Sequence, residues 1–290
     1  MRNESRSVGA FLRARRESMQ PEDVGLTRGP HRRVSGLRRE EVARLADISA
    51  EYYLRLEQGR DHQPSTPVLT AIGRALQLDD DGLRYLHRLA YPPPQSEQVD
   101  EGPTDVPDGI RELLAQWASI PAYVSDRNHF ILAANELAMA MAPGFITPGT
   151  NMIAQVFAGA PEGPLPEAWE NTASSLVASL RFQCDLNDKA LQRLVGALSI
   201  RSNHFRRLWA THDARPLTSG HAANHIEPFG WLNFRWQTLD VPGGAGQQLT
   251  VLFGDAGSPE VAAIAYLSAK VRQAPAVSLV SSPRQVPATS

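Results

Sequence analysis

Cysteine is almost absent: the 290 residues hold one, Cys184. No intramolecular disulfide can form, and this usage fits a reducing, cytoplasmic setting. With no basic or histidine neighbour in sequence, Cys184 reads as a buried structural thiol and not as a redox sensor. Long apolar runs are missing as well. The opening MRNESRSVGAFLRARRES contains none, which argues against a secretory signal. No stretch approaches the roughly 20 apolar residues of a membrane-spanning helix, so no membrane partner is expected. Lysine is missing from residues 1–60, which carry 13 Arg against 9 Asp or Glu, a net +4. Residues 91–290 carry 13 Lys or Arg against 18 Asp or Glu, a net −5. The overall charge of −2 therefore hides an asymmetry in which only the front suits a polyanion.

The usual chemical signatures are also lacking. GGAG at 243–246 has no GxGxxG spacing and no following helix, and reads as a hairpin turn. GSP at 257–259 lacks the GxSxG of a nucleophile elbow. His212-Asp213 has no further ligand at metal spacing, and His221 and His225 fall in a strand-like stretch where residues four apart are spread out. No catalytic residue, metal or cofactor is expected, and the chain does not read as an enzyme.

What is present suggests two domains. Residues 1–91 read as one domain, with consecutive short helices over 8–90. Ser7 can cap the first, with Val8, Phe11 and Leu12 on it, and Thr66-Pro67 opens a later one as cap and first-turn proline. Residues 92–107, proline-rich and acidic, read as a linker. Residues 108–272 mix helix and sheet. Two short strands flank a polar turn at 126–128, and a long helical region from about 167 to 211 breaks near 185–187 and 201–203. Three strands fill 217–254, and a closing helix begins at Ser258-Pro259. Residues 273–290 read as a disordered tail.

Within the first domain, LRREEVARLADISAEYYLRLEQGR sets a helix from Arg38 to Leu45, with Val42 and Leu45 inward and Ala43 small enough for a close crossing. Ala46-Asp47-Ile48 breaks it, and Ser49 caps a second helix. On that helix Tyr53 and Leu56 share the inward face, while Ala50, Glu51, Tyr52 and Arg55 lie elsewhere. A helix, a tight turn and a second helix with polar N-terminal residues is the arrangement that reads base edges in a major groove. Tyr53 is assigned to the core, and Tyr52 to the outside, free for a thymine methyl or a phosphate.

The same segment resembles the XRE-type (Cro/repressor-like) helix-turn-helix, and within that class the chain resembles the MmyB-like bacterial transcription regulators. The resemblance runs on through HQPSTPVL and HRLA, and then through PAYVSDRNHFILAANELA, LVGALSIRSNHFRRLWATHDAR and LTVLFGDAGSPE. It covers most of residues 8–270. It implies an all-α helix-turn-helix domain followed by an α+β, PAS-like domain able to enclose an apolar small molecule.

Carried over by position, Ala50, Glu51, Tyr52 and Arg55 are the base-facing residues, with Ser49 at the cap. Arg32, Arg33, Arg38, Arg39 and Arg60 are the phosphate partners, Arg39 standing where many XRE proteins have glutamine. Asp47 replaces the usual turn glycine, which aspartate can do because it tolerates the left-handed conformation. Ala134 stands where the family commonly has tryptophan. For His212 two readings stay open: a satisfied histidine at a helix end with favourable charge, or, with Arg215, the polar end of a pocket lined by Phe205 and Trp209. Tyr123 and Asn135 are the other candidate ligand contacts. The expected partners are a double-stranded DNA operator, a second copy of the chain as homodimer, and an apolar effector. The alternative is a constitutive DNA-binding regulator whose second domain is a ligand-free dimerisation or partner-binding module.

Overall fold

Residues 4–28, 32, 34–60, 63–91, 105–160, 166–183, 188–244 and 246–273 are described in the computed structural model. Arg33, Cys184, the expected helix break at 185–187, residues 92–104 of the expected linker and residues 274–290 of the expected tail lie outside the described residues. In chain order the first elements are α1 (Glu4–Ser18), a 3-10 turn (Pro21–Val24), α2 (Arg39–Leu45), α3 (Ala50–Glu57), α4 (Thr66–Ala75) and α5 (Asp80–Ala90). Then come α6 (Asp108–Gln116), β1 (Ala122–Ser125), β2 (Ile131–Ala134), α7 (Glu136–Met141), α8 (Met152–Ala158), α9 (Glu167–Gln183), α10 (Lys189–Arg201) and α11 (Asn203–Ala210). The chain closes with β3 (Ser219–Ile226), β4 (Gly230–Asp240), β5 (Gln248–Phe253) and α12 (Pro259–Gln273). Among the described residues, no helix is long and apolar enough to cross a membrane.

The chain divides into two units. The first gathers Met1–Val99 with Val177–Phe182 and Arg201–Pro216, and the second gathers Asp100–Leu176, Gln183–Ile200 and Leu217–Ser290. In the first, the apolar faces of the five N-terminal helices meet in one core that holds Phe11, Leu12, Leu37, Val42, Tyr53, Leu56, Leu69, Ile72 and Leu86. Ala214 is buried in the same core, and Phe182 packs against it, its ring stacked 6.2 Å from that of Tyr85. Val42, Ala43 and Ala46 form the buried arc of α2 and its cap. Leu45, expected inward, is instead 39% exposed, because a seven-residue helix centred on that arc leaves position 45 at its edge. The cap of α4 is Ser65, one residue before the expected Thr66, and α1 begins at Glu4, ahead of Ser7. Asp79 caps α5 by accepting from the Gly82 N–H.

The second unit is built on an antiparallel sheet with strand order β2-β1-β5-β4-β3. Mixed helices and a five-stranded antiparallel sheet make it α+β, as expected. The turn joining β1 to β2 is held by the Asp126 carboxylate, which accepts from the backbone N–H groups of Asn128 and Phe130, both at 2.8 Å. Helix α6 covers part of one sheet face through Leu114, packed with Ala122, Val124, Val241 and Leu249. Val106 joins that cluster at 2% exposure, so the end of the stretch read as linker is packed. A single valine next to a nascent helix has an apolar surface to bury against, which composition alone does not reveal.

Candidate nucleic-acid interface

The connection between α2 and α3 explains how a chain without the usual turn glycine makes the bend. The Ile48 N–H donates to the Ala43 carbonyl at 3.0 Å and the Asp47 N–H to the Arg44 carbonyl at 3.3 Å. This is the Schellman pattern, which needs one residue in the left-handed region, and Asp47 supplies it at φ 53°. Helix α3 then starts cleanly: Ser49 is its cap, its side-chain oxygen accepting from the Tyr52 N–H at 3.1 Å. It ends by the same device, with Gly59 at φ 64° and the Arg60 N–H donating to the Arg55 carbonyl.

Helix α3 presents two unlike faces. Tyr53, Leu56 and Glu57 are buried, while Ala50, Glu51 and Arg55 are exposed, with Ser49 beside them. Tyr52 is half-buried against the edge of the core and not fully outward. The Arg55 guanidinium lies over its ring, 5.4 Å from the centroid, and is 3.8 Å from the Glu51 carboxylate. Four of the expected base-facing residues are therefore neighbours on one surface, and the aromatic ring orients the arginine.

The expected phosphate partners do not behave alike. Arg38 is exposed at the cap of α2, its backbone N–H donating to the Glu41 carboxylate at 2.6 Å. Arg60 is exposed beyond the end of α3. Arg32 is spent internally: its side chain is 5% exposed, makes two bonds of 2.7 and 2.6 Å to the Glu41 carboxylate, and donates to the carbonyls of Val34 and Gly36. Arg32 holds the Glu41 carboxyl below the ordinary carboxylate range by hydrogen bonding, against the opposing effect of burial. Arg32 thus ties the segment before α2 onto that helix.

Arg39 reaches Glu57, a residue without an assigned role in the sequence reading. The Glu57 side chain is fully buried and accepts from Arg39 Nε at 2.7 Å and from Arg16 Nε at 2.6 Å, and Arg13 Nε lies 3.9 Å away. Arg16 is itself 5% exposed and also donates to the Leu37 carbonyl. Burial disfavours its charge, but the hydrogen bond and charge of Glu57 outweigh this and raise its pKa. The signal was present in LRLEQGR, where Glu57 falls four residues after Tyr53 on the inward face. A carboxylate there needs a buried cationic partner.

The candidate ligand residues fall into different units. In the second, the Tyr123 hydroxyl is pushed up to about 12 by burial, with an opposing hydrogen bond to Thr250. Asn135 caps α7: its Oδ1 accepts from the Ala138 and Ala122 N–H groups, and its Nδ2 donates to the carbonyls of Trp117 and Ile120. In the first, Phe205 is fully buried and stacks on Trp209 at 5.8 Å. The Arg181 guanidinium lies 3.8 Å over the Trp209 ring and 3.3 Å from His212 Nδ1. Burial and then the charge of Arg181 lower the His212 pKa to about 4. His212 is neutral at pH 7, not the charged helix-end group of the first reading. Arg215 pairs with Asp213 at 3.0 Å. Among the described residues, no cluster of His, Cys, Asp or Glu could hold a metal ion.

Comparison with known families agrees with this geometry. A model described as a helix-turn-helix domain matches residues 7–86. A second, described as an MmyB-like transcription regulator ligand binding domain, matches residues 106–267, more than half the chain. The chain belongs to the MmyB-like transcription regulators. No curated protein matches it. As an MmyB-like regulator, it combines a DNA-binding helix-turn-helix with a ligand-binding domain, and both matched families are regulatory, not enzymatic.

Proposed function

We propose that this regulator reads an operator as a homodimer through Ala50, Glu51, Tyr52 and Arg55, with Ser49 at the cap, and that an apolar small molecule controls the binding. In this reading residues 1–91 meet DNA and residues 108–272 hold the effector. The observation that carries the DNA reading is the two-faced α3, buried through Tyr53, Leu56 and Glu57 and exposed through Ala50, Glu51 and Arg55. An eight-residue helix is about 12 Å long and spans few base pairs. Two copies on half-sites about one helical turn apart double the readout. Arg38, Arg39 and Arg60 add phosphate attraction, which makes binding fall with salt. For the effector to regulate, it must bind two arrangements of the protein with different affinity.

Selection of duplexes from a random pool tests the readout. The unmodified chain should enrich one palindromic sequence, and Tyr52→Ala should relax the preference, since the ring orients Arg55. Unchanged enrichment by Tyr52→Ala would remove α3 from the readout. Solvent extraction of gently purified full-length protein, followed by mass spectrometry, tests the effector. A stoichiometric apolar compound supports the sensor. The alternative, a ligand-free dimerisation module, is favoured by Asn135, whose amide is committed to four backbone partners. Repeated absence of any compound, with an intact dimer, would put that module first.

A further inference from the structure

We propose that Glu57 positions a two-armed phosphate contact, in which Arg39 and Arg13 present their terminal guanidinium nitrogens to a backbone phosphate of bound DNA. The inference rests on the DNA-binding reading and adds to it a positioning residue, Glu57, and a contact residue, Arg13. Both arms converge on one atom: Glu57 Oε2 is 2.7 Å from Arg39 Nε and 3.9 Å from Arg13 Nε. The two Nε atoms therefore lie within 6.6 Å of each other, the sum of those distances. Two guanidinium groups at that separation can reach the oxygens of a single phosphate.

The third arginine is what makes the arrangement point outward. Arg16, 6% exposed in its side chain, donates from Nε to Glu57 Oε1 at 2.6 Å and from Nη2 to Oε2 at 3.4 Å, and so balances the charge of the carboxylate from inside. The positive charges of Arg13 and Arg39 are then in surplus. Their side chains are 49% and 43% exposed, and Arg39 is bound to Glu57 through Nε. The terminal nitrogens of both have no hydrogen-bond partner among the described residues. The same corner opens into a hollow of about 420 Å³ lined by Ala10, Arg13, Glu57, Gln58 and Arg60. Arg39 is the first residue of α2, and in helix-turn-helix docking the first helix of the motif crosses the DNA backbone. A guanidinium held at Nε has lost most of its rotamer freedom before the phosphate arrives, and its remaining N–H pair matches phosphate geometry.

Because phosphate contacts carry no sequence information, a mixed-sequence duplex suffices as probe, titrated with full-length protein across a range of salt. Arg39→Gln and Arg13→Gln should each weaken binding about tenfold. Each should also lower the slope of log K against log[salt] by about 0.9. Arg39→Lys keeps the charge but replaces the planar fork held at Nε with a single flexible ammonium, so it should still weaken binding. Glu57→Gln removes a negative charge near DNA, which by simple electrostatics would tighten binding; loss of positioning should weaken it instead. If Glu57→Gln fails to fold because Arg16 is left without its partner, Arg39→Lys decides alone. An Arg39→Lys protein with unaltered affinity and slope, a folded Glu57→Gln that binds tighter, or an Arg13→Gln with unchanged slope would overturn the proposal. Failure of the unmodified chain to bind any duplex would instead sink the DNA-binding reading, and is distinguishable because it needs no substitution.

Discussion

Asp47 and His129 show what a single residue contributes. Asp47 occupies the left-handed position of the α2–α3 turn, where glycine has no steric cost and aspartate has some. Asp47→Gly is expected to stabilise the chain by about 0.5 kcal/mol, and Asp47→Val to destabilise it, both measurable by urea unfolding. His129 is 1% exposed, and burial lowers its pKa from 6.5 to about 4. On acidification the unfolded chain takes up this proton first. The stability that depends on neutral His129 is therefore complete above pH 6.5 and is lost as pH falls toward about 4. The loss is on the order of 3 kcal/mol at most. His212 is shifted in the same direction by burial and then by Arg181. Unfolding midpoints measured from pH 7 to pH 4 should fall, and His129→Asn should flatten the fall without abolishing it. No motif pointed to His129; its burial follows from the Asp126 turn folding back on α8, where the Met152 N–H donates to the His129 carbonyl.

At the scale of elements, the helix-turn-helix depends on how closely α1 passes the end of α3. A Cβ on Gly9 would lie 2.2 Å from the Glu57 carbonyl oxygen, a contact with backbone that no rotamer change relieves. Gly9→Ala should destabilise the first unit by about 3 kcal/mol, seen as a lower thermal midpoint of the helical signal. The contact also places Glu57 under α1, where Arg13 and Arg16 can reach it. The strong local signals were legible in advance: Ser49 as a cap, the polar turn at 126–128, and the helix break near 201–203. Faces of short helices were less so. Leu45 was placed inward and is at the edge, because seven residues give too few turns for periodicity to fix the arc.

For the whole molecule, the first unit takes up two segments from within the ligand-binding-domain match, 177–182 and 201–216. Phe182 stacks on Tyr85 with Arg88 4.7 Å over the Phe182 ring, Arg15 lies 3.8 Å from Asp213, and Ala214 is in the core. Phe182→Ala should therefore lower the stability of the helical N-terminal region by about 2 kcal/mol. A chain ending at Tyr91 should melt below the same region in the full-length protein. Equal melting would mean that the later segments contribute nothing to that core.

The sequence by itself determined the helical front, the mixed helix-and-sheet part that follows it, the helix-turn-helix and its left-handed Asp47. Those features depend on local periodicity, capping and turn chemistry, which act over a few residues. Only the tertiary structure decided which arginines are spent inside and which face out. Arg32 and Arg39 look alike in sequence, yet Glu41 encloses the first and Glu57 holds the second by one nitrogen. That difference, like the membership of Phe182 and Ala214 in the first core, comes from contacts between residues distant in the chain, and no local pattern encodes them.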